Sequence, residues 1–220
     1  MPINPSASVK WCCENLIEHD SIEKIVPLSE NTVQLQIIGL NDYVHVLILA
    51  MRELELNNMP KEIHSSDVDF LVNIPKNAVF KQDLLEFAEV NEFGIGGVSD
   101  LYSAANQAKD LGDFKYYVHR EVEFIKRALS QHTVVNNISR VNNRMYRIER
   151  HSKATVNVLA LNEYDLTIDA LRTGVQRYGK PDYVLTSNPN CRDTSSAKSV
   201  ASNMGIRILS FSQLMGVLNN

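Results

Sequence analysis

The most directional chemical feature of the sequence is a basic segment in the middle of an acidic chain. Residues 115–153 carry nine Lys or Arg and three Glu, a net charge of +6. The remaining residues carry a net charge of −10, because the whole chain has −4. Arginine binds phosphate through paired hydrogen bonds, so this segment predicts contacts with DNA, RNA or another phosphate-bearing partner. The candidate residues are Lys126, Arg127, Arg140, Arg144, Arg147 and Arg150.

The spacing of these arginines does not decide which side of the protein they occupy. Arg140, Arg144 and Arg147 are four and three residues apart, which would place them on one stripe of a helix. Residues 145–150 alternate between apolar and polar side chains instead, a pattern typical of a strand. Arg147 therefore need not share a face with Arg140. Three tyrosines near this segment offer rings that could stack on bases: Tyr116, Tyr117 and Tyr146.

A polar loop at residues 186–193 is a candidate anion site. It is predicted to follow a parallel strand and to precede a helix, and ligands of open α/β sheets collect at the carboxyl ends of strands. Asn188 and Asn190 offer amide donors, Arg192 offers a planar cation, and the helix start adds backbone N–H groups. Lys76 occupies a comparable place in the first half of the chain. The alternative is ordinary turn and cap chemistry, since Asn, Pro and Asp favour turns.

Three acidic residues are candidates for metal-assisted catalysis. Glu163 and Asp165 follow a predicted strand at residues 156–161, and Asp182 begins the next strand. Carboxylates that lie together bind Mg²⁺ and help to activate water. Acids are also common at helix starts and turns, where they take no part in catalysis. The sequence shows no Cys/His metal-ligand spacing, so no cofactor is expected apart from Mg²⁺ if the protein is a nuclease.

The elements that would position these residues occur twice along the chain. Residues 33–106 and 145–219 each predict an alternating strand, an apolar strand, a helix, a strand ending in proline, a helix, a glycine-led strand and a closing helix. Equivalent positions are 111 to 114 residues apart. The sequence therefore predicts an α/β protein of two similar β-β-α-β-α-β-α halves that arose by internal duplication. The sheets should be mixed, with the later strands parallel.

A helix is predicted between the halves. Apolar residues at Val118, Val122, Ile125 and Leu129 form one face of a helix over residues 114–131 that packs across both halves. The predicted organisation is an N-terminal helical segment at 1–30, a first half at 31–113, the connecting helix at 114–138 and a second half at 139–220. No linker rich in Gly, Pro or Ser separates these parts, so one compact unit is expected.

The order of elements and the end of the chain resemble the restriction-endonuclease-like fold, and more narrowly the Mrr-type nuclease domains. Residues 197–218 match a helix, a strand that opens with Gly205-Ile206 and a closing helix, and Pro181-Asp182 looks like the family's Pro-Asp pair. The resemblance implies phosphodiester cleavage by Mg²⁺ held between an acid on one strand and a Glu-x-Lys on the next. The matching runs at residues 44–49 and 156–161 contain no acid and no lysine. Catalysis is therefore expected to be lost on this core.

The composition is that of an ordinary globular protein. Apolar residues make up 44% and charged residues 22% of the chain, which suffices for a buried core. The sequence shows no signal-peptide pattern and no apolar run of membrane-spanning length. Its three cysteines have neither metal nor disulfide spacing. A cytoplasmic protein with reduced thiols and no membrane partner is expected.

Three functions fit these observations. The first is a protein that binds nucleic acid or phosphate on a nuclease-like core without catalysis. The second is a Mg²⁺-dependent nuclease that uses Glu163, Asp165 and Asp182, with Lys198 assisting. The third is a self-associating module that forms a homo-oligomer, which would suit the acidic remainder of the chain and its internal symmetry. Enzymatic activity is left open, and the first, non-catalytic function is preferred.

Overall fold

The computed structural model describes residues 4–65 and 67–219. The chain divides into two compact units, residues 1–119 and residues 120–220. This boundary lies inside the segment 114–138 that the sequence assigns to a connecting helix. Among the described residues, no helix combines the length and the apolar character that a membrane crossing requires.

The first unit is built around a mixed sheet. In chain order its elements are α1 (Ala7–Leu16), β1 (Ile22–Pro27), β2 (Thr32–Ile37), β3 (Tyr43–Leu49), β4 (Glu53–Leu54), β5 (Phe70–Asn73), β6 (Val79–Phe80), α2 (Gln82–Val90), β7 (Gly94–Gly97), α3 (Val98–Gln107) and α4 (Gly112–Lys115). The main sheet of the described residues has the strand order β1-β2-β3-β5-β7. Strands β1, β2 and β3 are antiparallel, whereas β3, β5 and β7 are parallel. Strands β4 and β6 form a short parallel pair.

The second unit has the same strand order. Its elements are α5 (Arg120–Ser130), β8 (Val135–Arg140), β9 (Met145–Arg150), β10 (Lys153–Leu161), β11 (Asp165–Leu166), α6 (Ile168–Tyr178), β12 (Tyr183–Thr186), β13 (Arg192–Asp193), α7 (Ser195–Asn203), β14 (Arg207–Leu209) and α8 (Phe211–Leu218). Strands β8, β9 and β10 are antiparallel, and β10, β12 and β14 are parallel. Strands β11 and β13 form the short parallel pair.

Helices cover both faces of each sheet because the central strands are apolar on both sides. In the first unit, α1 and α3 pack on one face through Leu16 and Leu101, and α2 packs on the other through Leu84. In the second unit, α5 and α8 pack on one face and α6 and α7 on the other. Each unit is therefore a three-layer α/β/α arrangement.

The two units also repeat specific hydrogen bonds. The carboxylate of Asp69, just before β5, accepts a 2.8 Å hydrogen bond from the backbone N–H of His45 on β3. The carboxylate of Asp182, just before β12, accepts a 2.7 Å hydrogen bond from the backbone N–H of Asn157 on β10. The mixed α/β class predicted from the sequence is confirmed. That the units descend from one duplicated sequence stays a prediction.

The structure corrects three expectations about the elements. Each sheet has an additional antiparallel edge strand, β1 or β8, and β1 lies inside residues 1–30, which were predicted to be helical. The first unit has 3₁₀ turns at Leu56–Asn58 and Lys61–His64 where a crossover helix was predicted, because Asn58 hydrogen-bonds the Glu55 N–H and Pro60 cannot donate inside a helix. The helix predicted over 114–131 is two helices, α4 and α5.

Candidate functional site

A polar cluster joins three strand ends to helix α5 at one edge of the second sheet. Arg144 directly precedes β9, Asn162 directly follows β10, and Ser187 directly follows β12. All three donate hydrogen bonds to the carboxylate of Glu121 on α5: Ser187 Oγ at 2.5 Å, Arg144 Nη1 at 2.8 Å and Asn162 Nδ2 at 3.2 Å. These four residues are called the Glu121 cluster below.

The Glu121 cluster holds Glu121 in its charged form. Burial of the carboxyl group opposes ionisation, but the Arg144 guanidinium and the three hydrogen bonds outweigh it and lower the pKa of Glu121. Burial opposes the charge of Arg144 as well, and Glu121 reverses that effect, so the pKa of Arg144 is raised. A carboxylate with three donors and a lowered pKa is a poor proton donor or acceptor at neutral pH. The cluster therefore positions α5 rather than performing acid–base chemistry.

Tyr146 lies under this edge and is not available to stack on a base. It is 1% exposed, and burial raises the pKa of its phenol to about 12 although Arg140 acts to lower it. Tyr117 belongs to the first unit, where its hydroxyl donates to Asp100, and Tyr116 is exposed in that unit. The three tyrosines thus do not form one stacking surface with the basic residues of the second unit.

The structure separates the six predicted phosphate-binding residues between the two faces of the second sheet. Arg140 pairs with Tyr146 across β8 and β9, so both side chains lie on the face that α5 and α8 cover. Arg150 also lies there and donates to the carbonyl oxygens of Ala154 and Leu218. Arg147 is exposed on the opposite face, because successive residues of a strand point to opposite sides.

Helix α5 carries two of the predicted cations and an aromatic residue that the sequence reasoning missed. Lys126 is half-buried and Arg127 is exposed. Arg120 and Phe124 lie on the same face as Arg127, at spacings of four and three residues, and Phe124 is 48% exposed. The Phe124 ring contacts the ring of Phe211, the first residue of α8, at a centroid distance of 5.2 Å. The signal was an aromatic residue at a position off the apolar stripe that packs α5.

The predicted anion loop is built mainly as a turn. The side-chain oxygen of Asn188 accepts from the backbone N–H of Asn190, and its carbonyl oxygen accepts from Cys191. The Arg192 guanidinium lies 5.6 Å from the centre of the Tyr164 ring. Lys76 is exposed on the first unit and belongs to a different sheet. Turn formation accounts for these contacts of Asn188 and Asn190.

The three predicted catalytic acids do not come together. Asp182 precedes Tyr183, which pairs with Val158, while Glu163 and Asp165 follow Leu161 at the other end of β10. Four residues of strand separate these levels, or about 13 Å. The metal site predicted from Glu163, Asp165 and Asp182 is therefore wrong as a single site. No group of three or more His, Cys, Asp or Glu in residues 4–65 and 67–219 could hold a metal ion.

The fold and the site define a mixed α/β protein of two like-ordered units, with a positioned basic helix in the second. No protein-family model, curated protein or solved structure matches the chain. Its function must therefore be inferred from its own residues.

Proposed function

We propose that the protein binds nucleic acid, DNA or RNA, through the α5 side of its second unit, on a nuclease-like core that has no cleavage residues. The observation that carries this proposal is helix α5 itself. It presents Arg120, Lys126 and Arg127, whereas one of its two acids, Glu121, is tied to Arg144.

The charge of the whole second unit supports the proposal. Residues 120–220 contain 14 Lys or Arg and 8 Asp or Glu, a net charge of +6. Residues 1–119 contain 8 and 18, a net charge of −10. A polyanion is attracted to the second unit and repelled by the first. Helix α8, next to α5, has no charged side chain and adds no repulsion.

The proposal includes no cleavage step. Strands β3 and β10 have neither the acid nor the lysine that the nuclease resemblance requires, and Asp182 lies far from Glu163 and Asp165. Only Lys153, at the exposed start of β10, is charged on that strand. This lysine precedes the apolar run and has no acid two residues before it.

Fluorescence anisotropy of labelled DNA and RNA with the full chain tests the proposal. The affinity should fall steeply as salt rises, because bound phosphates release counterions. Replacing Lys126 and Arg127 by Ala should weaken binding to every sequence and reduce the salt slope by about one to two. Arg147→Ala is the matched control, since Arg147 is exposed on the opposite face of the same sheet.

Two results would overturn the proposal. One is the absence of binding at low salt, and a concentration-dependent dimer in sedimentation would then favour a self-associating module. The other is an equal effect of Arg147→Ala and of the α5 variants, which would mean that α5 is not the contact surface. Shortened product only in the presence of Mg²⁺ would show that cleavage must be added to the proposed activity.

A further inference from the structure

Two phenylalanines touch at the surface of the second unit without being required by its core. The residues that pack α5 on the sheet are Ile125 and Leu129, with Val122 also buried. Phe124 points away from that stripe and keeps 48% of its surface exposed. Its ring meets Phe211 at an interplanar angle of 59°, and Phe211 is itself only half-buried. The pair forms an apolar ledge at the start of α8.

Arginines flank this ledge along the helix. Arg120 lies one turn before Phe124 and Arg127 lies one turn after it, so the two guanidiniums are attached about 10 Å apart along the axis. Phosphates on either side of a base could each meet one guanidinium, while the base itself meets the ring. Alternating cations and aromatic rings are the usual surface for unpaired strands.

The first unit offers an internal comparison. Helix α1 holds the place in the first unit that α5 holds in the second, and Trp11, 113 residues before Phe124, is 40% exposed. The positions that match Arg120 and Arg127 are Ala7 and Glu14. An exposed aromatic residue is therefore present in both units, but arginines flank it only in the second.

We propose that the Phe124–Phe211 ledge stacks an unpaired base, so that the protein prefers single-stranded to double-stranded nucleic acid. This inference rests on the proposed function and narrows its ligand. Bases in a duplex stack on each other and cannot offer a face to Phe124, so a duplex gains phosphate contacts alone. Phenylalanine has no hydrogen-bonding group, so the ledge accepts any base.

Binding of labelled oligothymidylate and of a hairpin duplex of equal charge tests this inference on the full chain. Phe124→Ala should weaken single-strand binding about tenfold, with the salt slope and duplex binding unchanged. Phe124→Tyr should retain the affinity because it keeps the ring, whereas Phe124→Leu should not. Trp11→Ala is the matched control and should leave binding unchanged. Far-ultraviolet circular dichroism of each variant checks that it is folded.

The outcomes separate the two proposals. Salt-dependent binding that ignores Phe124→Ala, or that favours the duplex, overturns the ledge and leaves the proposed function standing. Loss of binding in Phe124→Leu with retention in Phe124→Tyr supports the ledge, since both variants are apolar and large. No binding of either probe at low salt overturns both.

Discussion

Ser187 donates a 2.5 Å hydrogen bond to Glu121 across 66 residues of sequence, and it thereby joins the end of β12 to helix α5. The same carboxylate accepts from Arg144 and Asn162. One side chain, with 10% of its surface exposed, thus holds three strand ends to the helix that carries the proposed binding surface.

Replacing Glu121 by Gln should lower the free energy of unfolding of the second unit by about 1–3 kcal/mol, because Arg144 loses its charged partner. Ser187→Ala removes one donor and should cost about 1 kcal/mol. Urea unfolding of both variants and of the double variant measures the effects. The double variant should cost less than the sum, since both changes act on one network. Additive costs would mean that the two residues act separately.

The stabilisation from Glu121 should depend on pH. Its pKa is lowered in the folded protein, so the contribution is complete above the unfolded value of about 4.5 and is lost as the pH falls through the folded pKa. The difference between the native protein and Glu121→Gln should be constant from about pH 5 to neutrality and should shrink below that range. Urea unfolding at a series of pH values measures it. A difference that grows on acidification contradicts a charged Glu121.

Tyr146 should make the protein sensitive to alkali. Burial raises its pKa to about 12 from an ordinary value of 10.0, so its contribution to stability is complete below pH 10 and is lost between pH 10 and 12. Tyr146→Phe should unfold with a flatter pH dependence in that interval. Tyr43→Phe, at a half-exposed tyrosine of the first unit, is the control and should leave the dependence unchanged. Equal curves for all three proteins would contradict the shift.

Much of the fold is encoded locally, and the parts that were missed are not. The buried strands β3 and β10 are continuous apolar runs, and α2, α7 and α8 begin within a residue of their predicted positions. Strands β1 and β8 lie at sheet edges and are largely exposed, so their sequences lack a clear apolar pattern. Residues with weak burial leave a weak signal.

The candidate site depends on contacts that no local pattern contains. Glu121 is read from sequence as a solvated acid at a helix start, and Ser187 as a turn residue, until the sheet brings them together. Proximity along the chain also misleads, because Arg140 and Arg147 are seven residues apart yet lie on opposite faces of the sheet. The total charge of the segment is visible in sequence, whereas its direction requires the strand register.

Asp69 and Asp182 allow the same change to be made in both units with different expected costs. Asp69 is 3% exposed, and its carboxylate lies 3.6 Å from Lys115 Nζ and 3.8 Å from His45 Nδ1, whereas Asp182 is exposed. Asp69→Ala should therefore cost about 2–3 kcal/mol and Asp182→Ala less than about 1 kcal/mol. Amide hydrogen exchange at His45 and Asn157 reports each bond separately. Equal acceleration at the two amides would show that burial does not decide the cost.

Gly94 and Gly216 should respond to alanine in opposite directions. A Cβ on Gly94 would overlap the carbonyl oxygen of Phe114 and lie 2.6 Å from Phe70 Cδ2, so Gly94→Ala should destabilise the first unit by about 3 kcal/mol. A Cβ on Gly216 meets nothing within 4 Å. Because Gly216 lies inside α8, Gly216→Ala should stabilise the second unit by about 0.5–1 kcal/mol. Urea unfolding of both variants measures the effects. A destabilised Gly216→Ala would indicate that α8 is held close to something at this position, and the ledge at its start would have to be placed again.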